Sequence, residues 1–255
     1  MTTVRLYSIP GSHPAAAARA MLEHKGLEYR RTDLPPVVSR VMMRPFGFSG
    51  NRVPALKIDG RKVQGSRNVS RELDVVKPDP PLFPADPERR AAVEEAERWG
   101  DDVFQQMPRT ISWWALKRHK SDQTSFLEGA GPMSRFGMPS RVAAATSGPI
   151  LAIAIRLNDS TDETVRQTLA SIGPALDHID GLIEQGVLGT EQPNAADFQI
   201  GASMALLMAF DDVRERIESR PAAGLARRLF PWYPGKVQPS FPPEWLEPLR
   251  QSARA

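Results

Sequence analysis

The sequence predicts an α/β domain followed by an all-α domain, and three observations carry this. Residues 1–77 alternate short β-rich runs with helix-forming runs. Five prolines (Pro78, Pro80, Pro81, Pro84 and Pro87) then fall within ten residues, a density that stops helices and stiffens a linker. Beyond them apolar residues recur at helical spacing, at Ala92, Val93, Ala96, Trp99, Val103 and Met107. The expected organisation is an N-terminal domain over 1–77, a linker over 78–87 and a helical domain over 88–255.

Residues 4–9 form a β-rich opening run. Pro10-Gly11-Ser12-His13-Pro14 makes a turn and a helix start, with Pro14 in the first turn, where its missing N–H costs little. Residues 15–25 are strongly helix-forming and are closed by Gly26 as a left-handed cap. A second strand is expected over 27–34, and irregular chain or a short helix over 35–49. Arg52-Val53-Pro54-Ala55-Leu56-Lys57-Ile58-Asp59-Gly60 then reads as a strand and a turn, and a second strand runs on to Val63-Gln64. Asp-Gly between two apolar runs is the strongest short hairpin signal. Pro54 cannot donate to a ladder and belongs at a strand end. The Val53–Pro54 bond is a candidate cis bond, which turns the Val53 backbone outward to pair with an extended peptide. Ser66 opens a helix over 66–75 and leaves backbone N–H groups aimed at an anion. The resulting order, β-α-β-α-β-β-α, is the thioredoxin-like pattern.

In the helical half, residues 161–185 and 195–210 are helical in period, and five to seven helices are expected. Residues 121–140, with Gly129, Gly131, Pro132, Gly137 and Pro139, break the pattern and read as a loop or insertion. The proline- and aromatic-rich stretch 231–248 is expected to lie extended over the surface.

Composition excludes several chemistries. Apolar and charged contents of 41% and 25% are those of an ordinary soluble globular protein. No run approaches the ~20 apolar residues of a membrane span. The opening Met-Thr-Thr-Val-Arg lacks a signal pattern, so a cytoplasmic location is expected. The chain has no cysteine, which rules out disulfides, thiolate metal sites and Cys-x-x-Cys redox chemistry. His13, His24, His119 and His178 show no ligand spacing, and no metal is expected. Residues 1–85 carry a balance of +7 and the remainder −4. A basic N-terminal part attracts an anionic ligand, but no Lys/Arg cluster is dense enough to argue for nucleic acid.

Four segments together resemble the glutathione S-transferase family in the order that family carries them. They are Leu6-Tyr7-Ser8-Ile9-Pro10-Gly11-Ser12-His13-Pro14, Val53-Pro54-Ala55-Leu56 with Gly65-Ser66-Arg67, the linker and helix from Leu82 to Trp99, and Asn194-Ala195-Ala196-Asp197. The last is similar to the family's buried N-capping box, with Asn194 as cap and Asp197 returning to the cap N–H. The resemblance implies a cytoplasmic, homodimeric transferase with a thioredoxin-like glutathione-binding domain and an all-α domain carrying the pocket for a small hydrophobic electrophile. Glutathione is then the co-substrate, with no other cofactor and no nucleic-acid or membrane partner. The alternative is a glutathione-binding or protein-interaction module of the same fold with little transferase activity.

By the same resemblance Ser12 is the catalytic hydroxyl, with Ser8 the competing choice, while Tyr7 alternates into the core. A hydroxyl donor at a helix start stabilises a thiolate. Lowering a thiol pKa by about 2 units takes roughly 2.7 kcal/mol, the order one charge-assisted hydrogen bond and a helix terminus supply. The resemblance assigns glutathione to Ser12, to the Val53 backbone beside Pro54, to Ser66 for the γ-glutamyl carboxylate and to Arg52 for the glycyl carboxylate. Gly65 stands where the family usually carries Glu or Gln. Trp113, Trp114 and Met107 are the candidates to line the electrophile pocket, and His13 beside Ser12 either polarises a ligand or, as a lone histidine at a helix start more often is, is solvated.

Overall fold

The Asp59-Gly60 turn closes the hairpin as expected, with both residues at positive φ, 47° and 83°, as a type I′ turn requires. It joins β3 (Ala55–Ile58) to β4 (Arg61–Gln64), antiparallel with Leu56 opposite Val63. The computed structural model describes residues 2–252 and places β1 (Val4–Ser8) antiparallel to β3 and parallel to β2 (Arg30–Asp33). The sheet order is β2-β1-β3-β4. Strand alternation then divides the apolar residues between two faces. Val4, Leu6, Leu56 and Ile58 join α1 (His13–His24) and the later α3 (Ser66–Val76) in the main core. Tyr7 and Ala55 join Leu34, Met43 and Phe48 beside the single turn α2 (Ser39–Met42) in a second, smaller cluster.

Residues 77–86 hold no helix or strand. The Asp86 side chain then accepts from the Arg89 N–H at 2.8 Å and starts α4 (Pro87–Trp99), with proline in the first turn. A π turn at Gly100–Phe104 links it to α5 (Gln106–Arg118). There follow α6 (Gln123–Phe126), α7 (Ser140–Ala145), α8 (Gly148–Leu157), α9 (Asp162–Glu184), α10 (Ala195–Met208), α11 (Asp211–Ile217), α12 (Pro221–Leu229) and α13 (Glu247–Ser252). These ten exceed the expected five to seven because α6, α7, α11 and α13 span only 4 to 7 residues each. Segments that short hold no full apolar period. Among the described residues no helix is long and apolar enough to cross a membrane.

Two expectations are corrected. Residues 121–140 are no simple loop: they contain α6 and two 3-10 turns, Lys120–Asp122 and Pro132–Arg135. The 231–248 stretch is irregular, but it does not merely cover the surface. Val237 is fully buried and pairs with Phe210 in a β-bridge, and Phe241 stacks on Trp114 with ring centroids 5.2 Å apart.

Helix α10 is the axis of the helical part, with its residues from Ala195 to Leu207 all buried. Its start is the expected capping box. The Asn194 side chain accepts from the N–H groups of Ala196 and Asp197, and Asp197 Oδ2 accepts from the Asn194 N–H at 2.9 Å. Asp197 Oδ1 also accepts from the Gly189 N–H at 2.8 Å, so this fully buried carboxylate holds a preceding loop as well. Asp197→Ala leaves those buried donors unpaired and should cost about 2–4 kcal/mol. A denaturant titration showing this loss, with ligand binding by the surviving folded protein unchanged, is the expected result.

Candidate functional site

Register brings the separate site segments to one end of the sheet. Tyr7 lies opposite Ala55 and Ala55 opposite Gln64. The chain leaving β1 toward Ser12, the chain entering β3 through Val53–Pro54, and the chain leaving β4 into Gly65–Ser66 therefore share an edge.

Ser12 is the N-cap residue of α1 and makes no side-chain capping hydrogen bond. Its N–H donates to the Ile9 carbonyl at 3.0 Å, closing the Pro10-Gly11 turn, and its carbonyl accepts from Ala16 at 2.9 Å. The hydroxyl is left free beside a cleft of about 280 Å³ that it lines. Ser8 lines the same cleft, but it is buried and its hydroxyl donates to the Ile9 carbonyl at 3.3 Å. Of the two serines, Ser12 is the one with an uncommitted donor at a helix start.

The strand-edge half is equally well assembled. The Val53–Pro54 bond is cis. The Gly65 N–H donates to the Pro54 carbonyl at 2.9 Å. Gln64 ties the loop ahead of β3, donating to the Arg52 carbonyl at 3.0 Å and accepting from the Gly50 N–H at 2.7 Å. Gly65 stands at φ 87°, a conformation that excludes an ordinary side chain and explains glycine there. Ser66, 3% exposed, is the first residue of α3, so the helix's free N–H groups open on this edge.

The structure adds residues that no local pattern revealed. Arg109 of α5 is held down to about 10, first by burial and then by repulsion from Arg52 and Arg40, with Asp101 opposing. Its side chain donates to Gln106 Oε1 at 2.8 Å. Three cations from separate parts of the chain thus lie within electrostatic reach of one another, and such a grouping favours an anionic ligand. On the other side of Ser12, the cleft is walled by Phe126, Trp232 and Tyr233. None of the expected Trp113, Trp114 and Met107 lines it. Trp114 is buried against Phe241 and Trp245, with its indole N–H donating to Asp162 Oδ1 at 2.7 Å.

His13 is also corrected: it is 2% exposed, not solvated, and its Nε2 lies 3.2 Å from the Gln105 carbonyl. Burial, reinforced by Arg109, holds its pKa well below the usual histidine value, the carbonyl acting in the opposite direction. The neutral imidazole donates to the chain just past the π turn and fastens the start of α1 to the helical domain.

Comparisons with known proteins bear on the fold. Residues 6–81 match the glutathione S-transferase N-terminal domain family. Protein LigF from Sphingobium sp. is 32% identical over 117 residues, which span 44% of this chain and 45% of LigF. The crystal structure of LigF, a β-etherase, covers 88% of this chain and 99% of its own at TM-score 0.50 and 23% identity. A glutathione S-transferase from Rhodospirillum rubrum covers 96% of this chain and 99% of its own, with TM-score 0.57 and 20% identity. A maleylacetoacetate isomerase from Anaeromyxobacter dehalogenans, with glutathione bound in its active site, covers 89% and 88% at TM-score 0.52 and 19% identity. Likenesses at these identities establish a shared fold.

The His13 contact has a pH signature. Its folded pKa is depressed, so the unfolded chain takes up the proton first as pH falls below about 6.5. The stability His13 contributes is full above that pH and is lost toward its folded pKa, at up to about 1.4 kcal/mol per pH unit. The melting-temperature gap between wild type and His13→Gln should therefore narrow as pH drops from 7 to 5. A gap independent of pH would remove the neutral-histidine account.

Proposed function

We propose that this chain, whose residues 6–81 carry a glutathione S-transferase N-terminal domain and whose fold is that of the family, is a glutathione transferase that activates the thiol through Ser12. The observation that carries the proposal is the Ser12 hydroxyl: it stands at the N-terminus of α1, spends no hydrogen bond on capping and faces an open cleft. The Val53 backbone beside Pro54 pairs with the cysteinyl part of glutathione. Ser66 and the free N–H groups of α3 take the γ-glutamyl carboxylate. Arg52, with Arg40 and Arg109 behind it, takes the glycyl carboxylate. In that pose the thiol lies at Ser12.

The chemistry then follows from charge. The thiol gives its proton to solvent, and the Ser12 O–H donates to the sulfur, which also feels the positive end of α1. The thiolate attacks a small hydrophobic electrophile, a C–S bond forms, and the leaving group departs with its electron pair. Glutathione is co-substrate, and no further cofactor enters. The homodimer and cytoplasmic location that the resemblance implies belong to the same proposal.

Two measurements test it. Glutathione at 100 times its dissociation constant should stabilise the fold by about 2.7 kcal/mol, and no thermal shift at millimolar glutathione would defeat the assignment. Ser12→Ala should lower conjugation of a generic aryl halide far more than it lowers glutathione affinity. Its pH–rate profile should move upward by about 2 units and approach wild type in strong base. An unshifted profile with full activity would leave Ser12 a helix cap. Binding without any conjugation by wild type would favour the non-catalytic module.

A further inference from the structure

We propose that the open face of the sheet binds a small oligophosphate through Arg30, Arg5, Lys57 and Lys62. The site is separate from the glutathione reading, whose segments gather at the other end of the strands. Strand register puts the four cations in one row. Arg5 lies opposite Arg30 on one side and opposite Lys57 on the other, and Lys57 lies opposite Lys62. The row therefore crosses all four strands, with neighbouring strands ~4.8 Å apart. Like charges directly opposite one another destabilise a sheet, so the row works against the stability of the free protein. No single stretch of sequence reveals it, because its members meet only through strand pairing.

The two faces of the sheet treat their cations differently. Arg31 stands in register with Leu6 and Arg61 with Ile58, on the face that packs against α1 and α3. Each of these has a carboxylate partner, Asp33 at 2.9 Å for Arg31 and Glu72 at 2.9 Å for Arg61. The row occupies the opposite face, and among the described residues none of its four members forms an ion pair. Asp33 is the one acidic residue in the four strands, and Arg31 already holds it. Positive charge left without a counter-charge on the protein attracts an anion.

This face also has room for one. The single turn α2 lies beside the Tyr7–Ala55 cluster. Toward the other end of β1 the face holds a cavity of about 300 Å³ lined by Thr3, Arg5, Tyr7, Lys57 and Gly60. Lys57 Nζ lies 5.9 Å from the ring centroids of Tyr7 and Phe48, both of them buried. Lys62 Nζ reaches over Gly47, where a Cβ would collide with it. The four strands expose no large apolar side chain, so the face lacks the apolar centre of a protein interface. It equally lacks exposed rings on which nucleic-acid bases stack. Closely spaced point charges suit phosphates linked in a short chain, whereas carboxylates on one face of an extended peptide recur only every ~6.6 Å.

The test is calorimetric titration of tripolyphosphate, ATP and pentathymidylate into wild type, Arg5→Gln, Lys57→Gln and Arg61→Gln, at low and at near-physiological salt. Tripolyphosphate should bind wild type, and its affinity should fall about tenfold as the added salt screens exposed charge. ATP should bind within about threefold of tripolyphosphate, since nothing on the face holds a base. Pentathymidylate, whose phosphates are held further apart, should bind more weakly. Arg5→Gln and Lys57→Gln should each weaken tripolyphosphate about tenfold, the effect of losing one charge-assisted hydrogen bond. Arg61→Gln, on the other face, should leave it unchanged. Absence of tripolyphosphate binding, wild-type affinity in both Arg5→Gln and Lys57→Gln, a strong preference for ATP, or tighter binding of pentathymidylate would each overturn the oligophosphate site.

Discussion

Everything in this molecule is built around the seat of α1 between the sheet and α10. The inner faces of α1 are alanines: Ala15, Ala16, Ala17, Ala18 and Ala20 are all buried, with Met21 and Leu22 filling the end of the contact. Small side chains let two helices approach closely and lose no rotamer freedom on burial. The partner helix is itself enclosed on all sides. His13 at one end of α1 reaches the Gln105 carbonyl, and His24 at the other packs on Phe198 with rings 5.4 Å apart. A helix held at both ends fixes the position of its N-terminus, and that terminus is where Ser12 presents its hydroxyl.

Buried charge reinforces the same seat. Lys25, wholly buried, donates to Asp74 at 2.6 Å and to the Lys77 carbonyl at 2.7 Å, so the end of α1, α3 and the start of the linker meet at one ammonium. Glu97 of α4, 1% exposed, accepts from Ser70 and Arg71 of α3, each at 2.6 Å. Burial raises its pKa while those donors lower it. Such groups cost desolvation and are tolerated only when every partner is in place. They fix the geometry between α1, α3 and α4 more than they add net stability. Around the ligand edge the balance is the reverse. Arg52 and Arg40 both repel Arg109 while Asp101 offsets them, a balance that favours an anion.

Much was legible from short-range pattern. The hairpin was written in Asp59-Gly60, the strand end in Pro54, the two helix starts in Ser12 and Ser66, and the capping box in Asn194 and Asp197. Each is a local rule, satisfied within four residues of chain, and each reappears in the structure at the stated place. The short helices α6, α7, α11 and α13 escaped because they are stabilised by what they pack on rather than by their own periodicity.

What the sequence alone determined is therefore the order of elements, the break between the α/β and helical parts, and the residue types at the edge shared by Ser12, Pro54 and Ser66. Tertiary structure decided which residues share a cleft. Pattern could not show that His13 would be buried against Gln105, that Arg109 would feel the charge of Arg52, or that Tyr233 would cross 222 residues to the Gly11 carbonyl. Trp113 and Trp114 lie on a helix and so suggest a lining face, whereas Phe126, Trp232 and Tyr233 meet at the cleft beside Ser12 only when α6 and the chain after α12 close on one another. Local signals are set by neighbours along the chain, while a cleft is set by contacts whose partners the chain brings together only on folding.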